Sequence, residues 1–237
     1  NKCSSQGKYM KLPIALALDA PDLETAKKWA KEATPFVSTL KIGLETYLRD
    51  GKSAIQEIKN ISDSDIFLDL KLHDIPATVI GACKSISDLN PKYLTVHAAG
   101  GIEMIEGAVK TLPNTFITAV TILTSLNEGA LKRIGFKLEA RDSAIELAKL
   151  AVEAGARAIV CSAQEVAQIR SAVGNDVVLI TPGIRPAGSS LDDQKRVATP
   201  HQALKDGANL LVIGRPITAS ASIKNACEQL REEINNF

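Results

Sequence analysis

Ile66-Phe67-Leu68-Asp69-Leu70-Lys71 begins as an unbroken apolar run and closes on two charges, with Pro76 opening a new segment soon after. A short apolar run without polar alternation suits a strand of a parallel sheet, which is buried on both faces. The same kind of run recurs on either side of it: Ile14–Asp19, Thr39–Gly43, Tyr93–Ala98, Phe116–Leu123, Ala158–Ser162, Val177–Pro182 and Leu210–Gly214. Helical segments lie between the runs. Leu23–Ala33 carries Leu23, Ala26, Ala30 and Ala33 along one side behind an Asp22 N-cap. Ala144–Ala154 follows Asp142 and stops at Gly155, the expected C′ position. Thr199-Pro200-His201-Gln202 reads as a cap, Pro at N1 and a capping-box Gln. Eight strand–helix alternations in 237 residues predict an α/β chain closed as a (β/α)8 TIM barrel. An open doubly wound sheet usually has fewer strands and often a GxGxxG turn after the first, where this chain has Asp19-Ala20-Pro21-Asp22.

Composition narrows the function classes. The 28 basic and 27 acidic side chains leave a net charge of +1, so no polybasic stripe suggests nucleic acid or an anionic membrane. The longest apolar runs, such as Ile14–Leu18, are far shorter than the ~20 residues of a membrane span. Cys3, Cys83, Cys161 and Cys227 lie far apart and read as reduced thiols of a cytoplasmic protein, not as a disulfide frame or zinc site. No signal-peptide pattern opens the chain. Residues 1–9 are expected to form a polar tail, and 10–237 a single catalytic barrel.

Strands buried in a barrel should not end in charges without a use for them. Strand one ends at Asp19, strand two carries Lys41, and strand three carries Asp69 and Lys71, with Asp74 in the following turn. Asp69 and Lys71 are two apart and share a strand face. Asp74 alone reads about as well as a cap for the helix begun by Pro76. A solvated ring of ion pairs explains the set poorly, because desolvating such charges is costly unless a ligand or a reaction uses them. Two long loops, Thr124–Arg141 and Gly183–Ala198, follow strands and so belong to the C-terminal rim, where barrel enzymes place their sites. Gly183 and Arg185 after strand seven, with Gly214 and Arg215 after strand eight, form the expected phosphate corner. Gln194 sits in the loop between Arg185 and Thr199, whose Gly188-Ser189-Ser190 stretch suits a lid. His73 and His97 lack a suitably placed third ligand and read as structural, and His201 as solvent-facing. No metal or cofactor is expected.

Asp69-Leu70-Lys71-Leu72-His73-Asp74-Ile75-Pro76 resembles the DxKxxDIP signature of the orotidine 5′-monophosphate decarboxylases. Leu16–Asp19, Leu40–Gly43, His97–Gly101, Thr121–Leu126, Thr181–Pro186 and Ile213–Ile217 resemble other parts of the bacterial-type pattern, so the likeness spans nearly all of residues 12–235. It implies conversion of orotidine 5′-monophosphate to UMP and CO2 without a cofactor. It assigns Lys71 to carbanion stabilisation and protonation at C6, Asp69 to the departing carboxylate, and Lys41 and Asp74 to the charge network. Asp19 and Lys41 would hold ribose hydroxyls, Thr124 and Ser125 the pyrimidine edge, and Arg185, Gln194, Gly214 and Arg215 the phosphate. Without the resemblance, Thr124 and Ser125 read as turn or helix caps. The family pattern also implies a homodimer in which Asp74 and Thr78 serve the partner's site. Related sugar-phosphate enzymes share DxKxxD but use Mg2+ and have a glutamate where Lys41 stands, and an ammonium there would repel a divalent cation. A catalytically silent nucleotide-binding barrel would be marked by loss of Asp69 or Lys71, and both are present.

Overall fold

In the computed structural model, residues 10–186 and 198–235 are described. Eight parallel strands close into a barrel in chain order, with β8 bonded back to β1. They are β1 Leu12–Ala17, β2 Val37–Gly43, β3 Asp65–Leu72, β4 Tyr93–His97, β5 Phe116–Val120, β6 Ala158–Val160, β7 Val178–Thr181 and β8 Leu210–Ile213. The helices are α1 Leu23–Ala33, α2 Leu44–Ile61, α3 Pro76–Ser85, α4 Ile102–Thr111, α5 Glu128–Arg133, α6 Ala140–Glu153, α7 Val166–Val173, α8 Pro200–Lys205, α9 Arg215–Thr218 and α10 Ile223–Asn235.

Side-chain alternation divides the core in two. Ala15, Phe67, Tyr93, Ala158, Ile180 and Leu210 fill the barrel interior. Their neighbours Ile14, Leu16, Ile66, Leu68, Leu94 and Leu211 point outward to meet the helices. This is why the strands read as continuous apolar runs. Burying each large aliphatic side chain contributes roughly 1.5–3 kcal/mol, so the outer layer dominates the stability of the barrel. The same alternation sends Lys41 and Asp69 toward the interior, because their sequence neighbours Leu40, Ile42, Leu68 and Leu70 face the helices.

Helix ends follow the local chemistry, with some departures from expectation. The Asp22 carboxylate accepts from Thr25 N at 2.7 Å and caps α1. Thr199 caps α8 by accepting from Gln202 N at 3.2 Å, and the Gln202 side chain donates to Asp206. Helix α6 begins at Ala140, not Ala144; Glu139 is its N-cap and Asp142 lies inside its first turn. It ends as expected, with Gly155 at φ 89°. The loop after β5 is not without structure, since Asn127 accepts from Ala130 N and starts the short helix α5. Several strands also stop earlier than expected. β1 ends at Ala17, two residues before Asp19; β5 ends at Val120; and Ala98–Gly100 form a 3-10 turn. His201 is half-buried, not solvent-facing.

The free thiols Cys83, Cys161 and Cys227 are all buried, and Cys3 lies outside the described residues. Among the described residues no helix is long and apolar enough to cross a membrane. The expected tail, residues 1–9, and Gln194 with most of its loop also lie outside the described residues. The base of that loop is joined by a bridge between Ile184 and Ala198 and by Arg185 N donating to Ala198 O at 3.0 Å.

Candidate active site

The third strand carries two of the candidate residues, Asp69 and Lys71, and is not a regular strand. β3 pairs with β4 at Leu68↔Leu94 and next at Leu72↔Val96, so four steps on one strand match two on the other. The extra length bulges out at Asp69–Lys71, and Lys71 takes a left-handed φ of 48°. An L side chain there costs roughly 1–2 kcal/mol, which neighbouring bonds must offset. Asp69 and Lys71 do meet on one side, as expected, but a bulge brings them there and not simple alternation. Lys71 Nζ donates to Asp69 Oδ1 at 2.8 Å. Lys41, from β2, lies 3.4 Å from Asp69 Oδ2 and 3.6 Å from Asp19 Oδ1.

Burial grades this network. The Lys41 and Asp69 side chains are 9% and 13% exposed, Lys71 32% and Asp19 50%. Burial pushes the Asp69 carboxyl up, but Lys41 and Lys71 beside it, with hydrogen bonds from Lys71 and Thr95, hold it below the ordinary value. The carboxylate is therefore charged at neutral pH and braced between two ammonium groups.

These residues form one wall of a cavity of about 330 Å³ at the C-terminal mouth of the barrel. Ala17, Phe67, Val120, Val160 and Val212 line its apolar parts. Thr124 also lines it, and Gly183, Arg185, Gly214 and Arg215 form a second polar corner. Arg185 is nearly buried; its Nη1 donates to Ile184 O at 3.1 Å, while its buried Nε has no hydrogen-bond partner among the described residues. Arg185 lines the cavity, and a guanidinium on its wall suits an anion. Cys161 lines the wall too, but burial pushes its thiol up to about 12 and keeps it protonated.

Nine predicted residues thus converge on one cavity: Asp19, Lys41, Asp69, Lys71, Thr124, Arg185, Gly214, Arg215 and the flanking Gly183. Asp74 and Thr78 do not join them. Both are exposed, and neither lines the chain's own cavity; Ser125 does not line it either. Asp74 is also not the cap of α3. Its Oδ1 accepts from Ile75 N at 2.7 Å, and Ile75 holds the N-cap position. His73 and His97 stack at 5.2 Å between ring centroids and do not line the cavity. Burial lowers the His97 pKa, with His73 and Lys71 adding to the effect. Among the described residues no cluster of three His, Cys, Asp or Glu side chains is placed to hold a metal ion.

Sequence reasoning missed two contributors. Thr95, buried in β4, bonds both Asp69 and Lys71. Gly43, at the end of β2, leaves room for Asp19 and Lys41. The available signal was position: each lies two residues along its strand from an interior-facing residue, Tyr93 and Lys41 respectively.

Residues 13–230 match the model of the orotidine 5′-phosphate decarboxylase / HUMPS family. A protein of Thermobifida fusca named orotidine 5′-phosphate decarboxylase is 57% identical over 225 residues, covering 95% of this chain and 97% of its own. One of Frankia casuarinae with the same name is 48% identical, covering 88% and 82%. The crystal structure of the orotidine 5′-phosphate decarboxylase from Lactobacillus acidophilus superposes with a TM-score of 0.81 at 33% identity, covering 94% of this chain and 99% of that one. The crystal structure of an uncharacterized conserved protein from Geobacillus kaustophilus has the same TM-score at 30% identity. With a family match over most of its length and relatives this similar, the chain belongs to the orotidine 5′-phosphate decarboxylase / HUMPS family.

Proposed function

We propose that the chain converts orotidine 5′-monophosphate to UMP and CO2, a step of pyrimidine biosynthesis, without a metal or cofactor. The observation that carries this reading is Lys41 paired to Asp69 beside Lys71 on one wall of a cavity whose other polar corner holds Arg185 and Arg215. Sugar-phosphate members of the wider group are expected to hold Mg2+ where Lys41 stands, and an ammonium in that place repels such an ion. The names of the most similar relatives support the same choice.

The reaction breaks the bond between C6 and the carboxylate carbon and leaves its electron pair on C6. The Lys71 ammonium stabilises that charge in a cavity of low dielectric. It then gives C6 a proton, and solvent reprotonates the neutral amine. Asp69 faces the departing carboxylate and raises the energy of the bound reactant relative to the transition state. Lys41 balances Asp69 and, with Asp19, holds ribose hydroxyls. Thr124, on the cavity wall, serves the pyrimidine edge, with Ser125 beside it in the chain but outside the wall. Arg185, Gln194, Gly214 and Arg215 hold the phosphate, whose binding energy organises the reacting end.

Two copies of the chain form the working unit, each lending Asp74 and Thr78 to the other's cavity. Support comes from the exposure of both residues outside their own cavity, next to Ile75 with 66% of its surface open. The protein acts in the cytoplasm as one catalytic domain over residues 10–237, with 1–9 as a tail, and binds neither nucleic acid nor membrane. Incubation with orotidine 5′-monophosphate after exhaustive chelation, followed by ultraviolet absorbance, tests the reading. Undiminished conversion to UMP is expected. No conversion of orotidylate, together with Mg2+-dependent turnover of a ketose phosphate, would contradict it.

A further inference from the structure

Thr95 is fully buried, does not line the cavity, and yet bonds both Asp69 and Lys71 of β3. Its Oγ1 accepts from Lys71 N at 2.8 Å and donates to Asp69 Oδ1 at 3.0 Å. The same Asp69 oxygen accepts from Lys71 Nζ. One hydroxyl therefore closes a ring through the backbone of the lysine, its ammonium and the carboxylate beside it.

The position of Thr95 explains why β4 needs a hydroxyl there. It stands between the rungs Leu68↔Leu94 and Leu72↔Val96, opposite the bulged Asp69–Lys71 segment. The bulge removes Lys71 N–H from the regular ladder, and the Thr95 hydroxyl accepts it instead. Lys71 has a φ of 48°, so this bond also offsets the strain of its backbone. A hydroxyl both donates and accepts, whereas a methyl or thiol in its place does not make both bonds well.

We infer that Thr95 is a positioning residue for the decarboxylation, acting through Lys71 and Asp69 without touching substrate. The inference rests on the proposed function and adds to it the element that fixes the proton donor's backbone. Without the hydroxyl, Lys71 relaxes toward ordinary strand geometry and Asp69 gains rotational freedom. The ammonium is then displaced from C6, while the distant phosphate corner is unaffected. A displacement of this kind lowers kcat more than it weakens binding.

The test compares Thr95→Ser with Thr95→Ala, which differ by one oxygen, and adds Thr95→Val, which keeps the volume and loses the hydroxyl. Decarboxylation of orotidine 5′-monophosphate by the unmodified protein is measured first, then kcat, KM and the Kd for UMP of each variant. Thr95→Ala and Thr95→Val should lose about tenfold to a hundredfold in kcat, with KM and the UMP Kd within about threefold of the unmodified protein. Thr95→Ser should recover most of the kcat despite the missing methyl. Equal kcat for the Ser and Ala variants would overturn the inference, as would losses confined to KM and the UMP Kd. If Thr95→Val does not fold, the Ser–Ala pair decides alone. An unmodified protein that leaves orotidylate untouched would sink the functional reading and this one with it, whereas an active protein indifferent to Thr95→Ala sinks only the role of Thr95.

Discussion

Gly43 leaves the space that Asp19 occupies: a Cβ at residue 43 would lie 2.9 Å from Asp19 Oδ1 and 3.2 Å from Lys41 Nζ. The backbone of Gly43, at φ −90° and ψ −176°, is open to any residue, so the glycine is there for close approach and not for its torsions. Gly43→Ala should therefore fold with little change in Tm but push the Asp19 carboxylate off Lys41. A fall of about tenfold or more in kcat/KM for orotidylate is expected, since small misplacements in such a site are costly. Steady-state kinetics beside a melting curve would check it, and unchanged kinetics would mean that the Asp19–Lys41 contact is not used.

Asp69 gives the fold a dependence on acid. Its carboxyl is held below the ordinary value of 3.8, so the unfolded chain takes up the proton first as pH falls. The stability contributed by the charged form is thus fully present above about pH 5, declines as pH drops through 3.8, and is lost below the depressed folded value. Asp69→Asn leaves two lysines without this partner and should destabilise the neutral-pH protein by roughly 3 kcal/mol. Denaturant titrations from pH 7 down to pH 3 should show the gap between the two proteins narrowing only at the acid end. A gap that widens with acid would contradict the assignment.

Arg215 lines the same cavity as Lys71, together with Arg185, Gly183 and Gly214. Arg215→Ala should lower kcat/KM for the nucleotide by about a hundredfold or more, because a charge-assisted phosphate clamp is removed. The phosphate-free nucleoside should be turned over nearly as well, or as poorly, by the variant as by the unmodified protein. Equal losses on both substrates would assign Arg215 a structural role.

The proposed sharing of Asp74 between two subunits is tested with mixed dimers. Lys71→Ala and Asp74→Ala are each expected to be inactive. In a dimer of one with the other, one site inherits both defects and the second is intact. Random pairing makes about half the dimers mixed, so about a quarter of normal activity should return when the two are co-expressed. No recovery, with mixed dimers demonstrated, would place Asp74 outside the partner's site.

The barrel was legible because the strands are buried on both faces, which turns each into a continuous apolar run such as Ile14–Leu18 or Leu210–Ile213. Strand ends were less so. Ile122 and Leu123 remain apolar beyond the last rung of β5 because they line the cavity, so composition overstates the ladder. Helix α5 was missed because six residues holding Gly129 carry too little periodicity to stand out. Within the site, charges on interior-facing positions exposed Lys41, Asp69 and Lys71 to a reader of the sequence alone. The bulge at Asp69–Lys71 left no such trace: Asp-Leu-Lys-Leu alternates as a regular strand would, and only the ladder to β4 reveals the extra length. Thr95 was silent for a related reason, since a threonine inside a strand reads as ordinary β propensity.

The most direct test of the account is the rate of orotidine 5′-monophosphate decarboxylation by Lys71→Ala beside the unmodified protein under saturating substrate. Lys71 is the group assigned both the charge beside C6 and the proton delivered to it. The unmodified protein should release UMP and CO2 in equal amounts, and Lys71→Ala should lose more than about 10³-fold in kcat, because electrostatic and acid terms vanish together. A Lys71→Ala variant that decarboxylates orotidylate at near-normal rate would contradict the account.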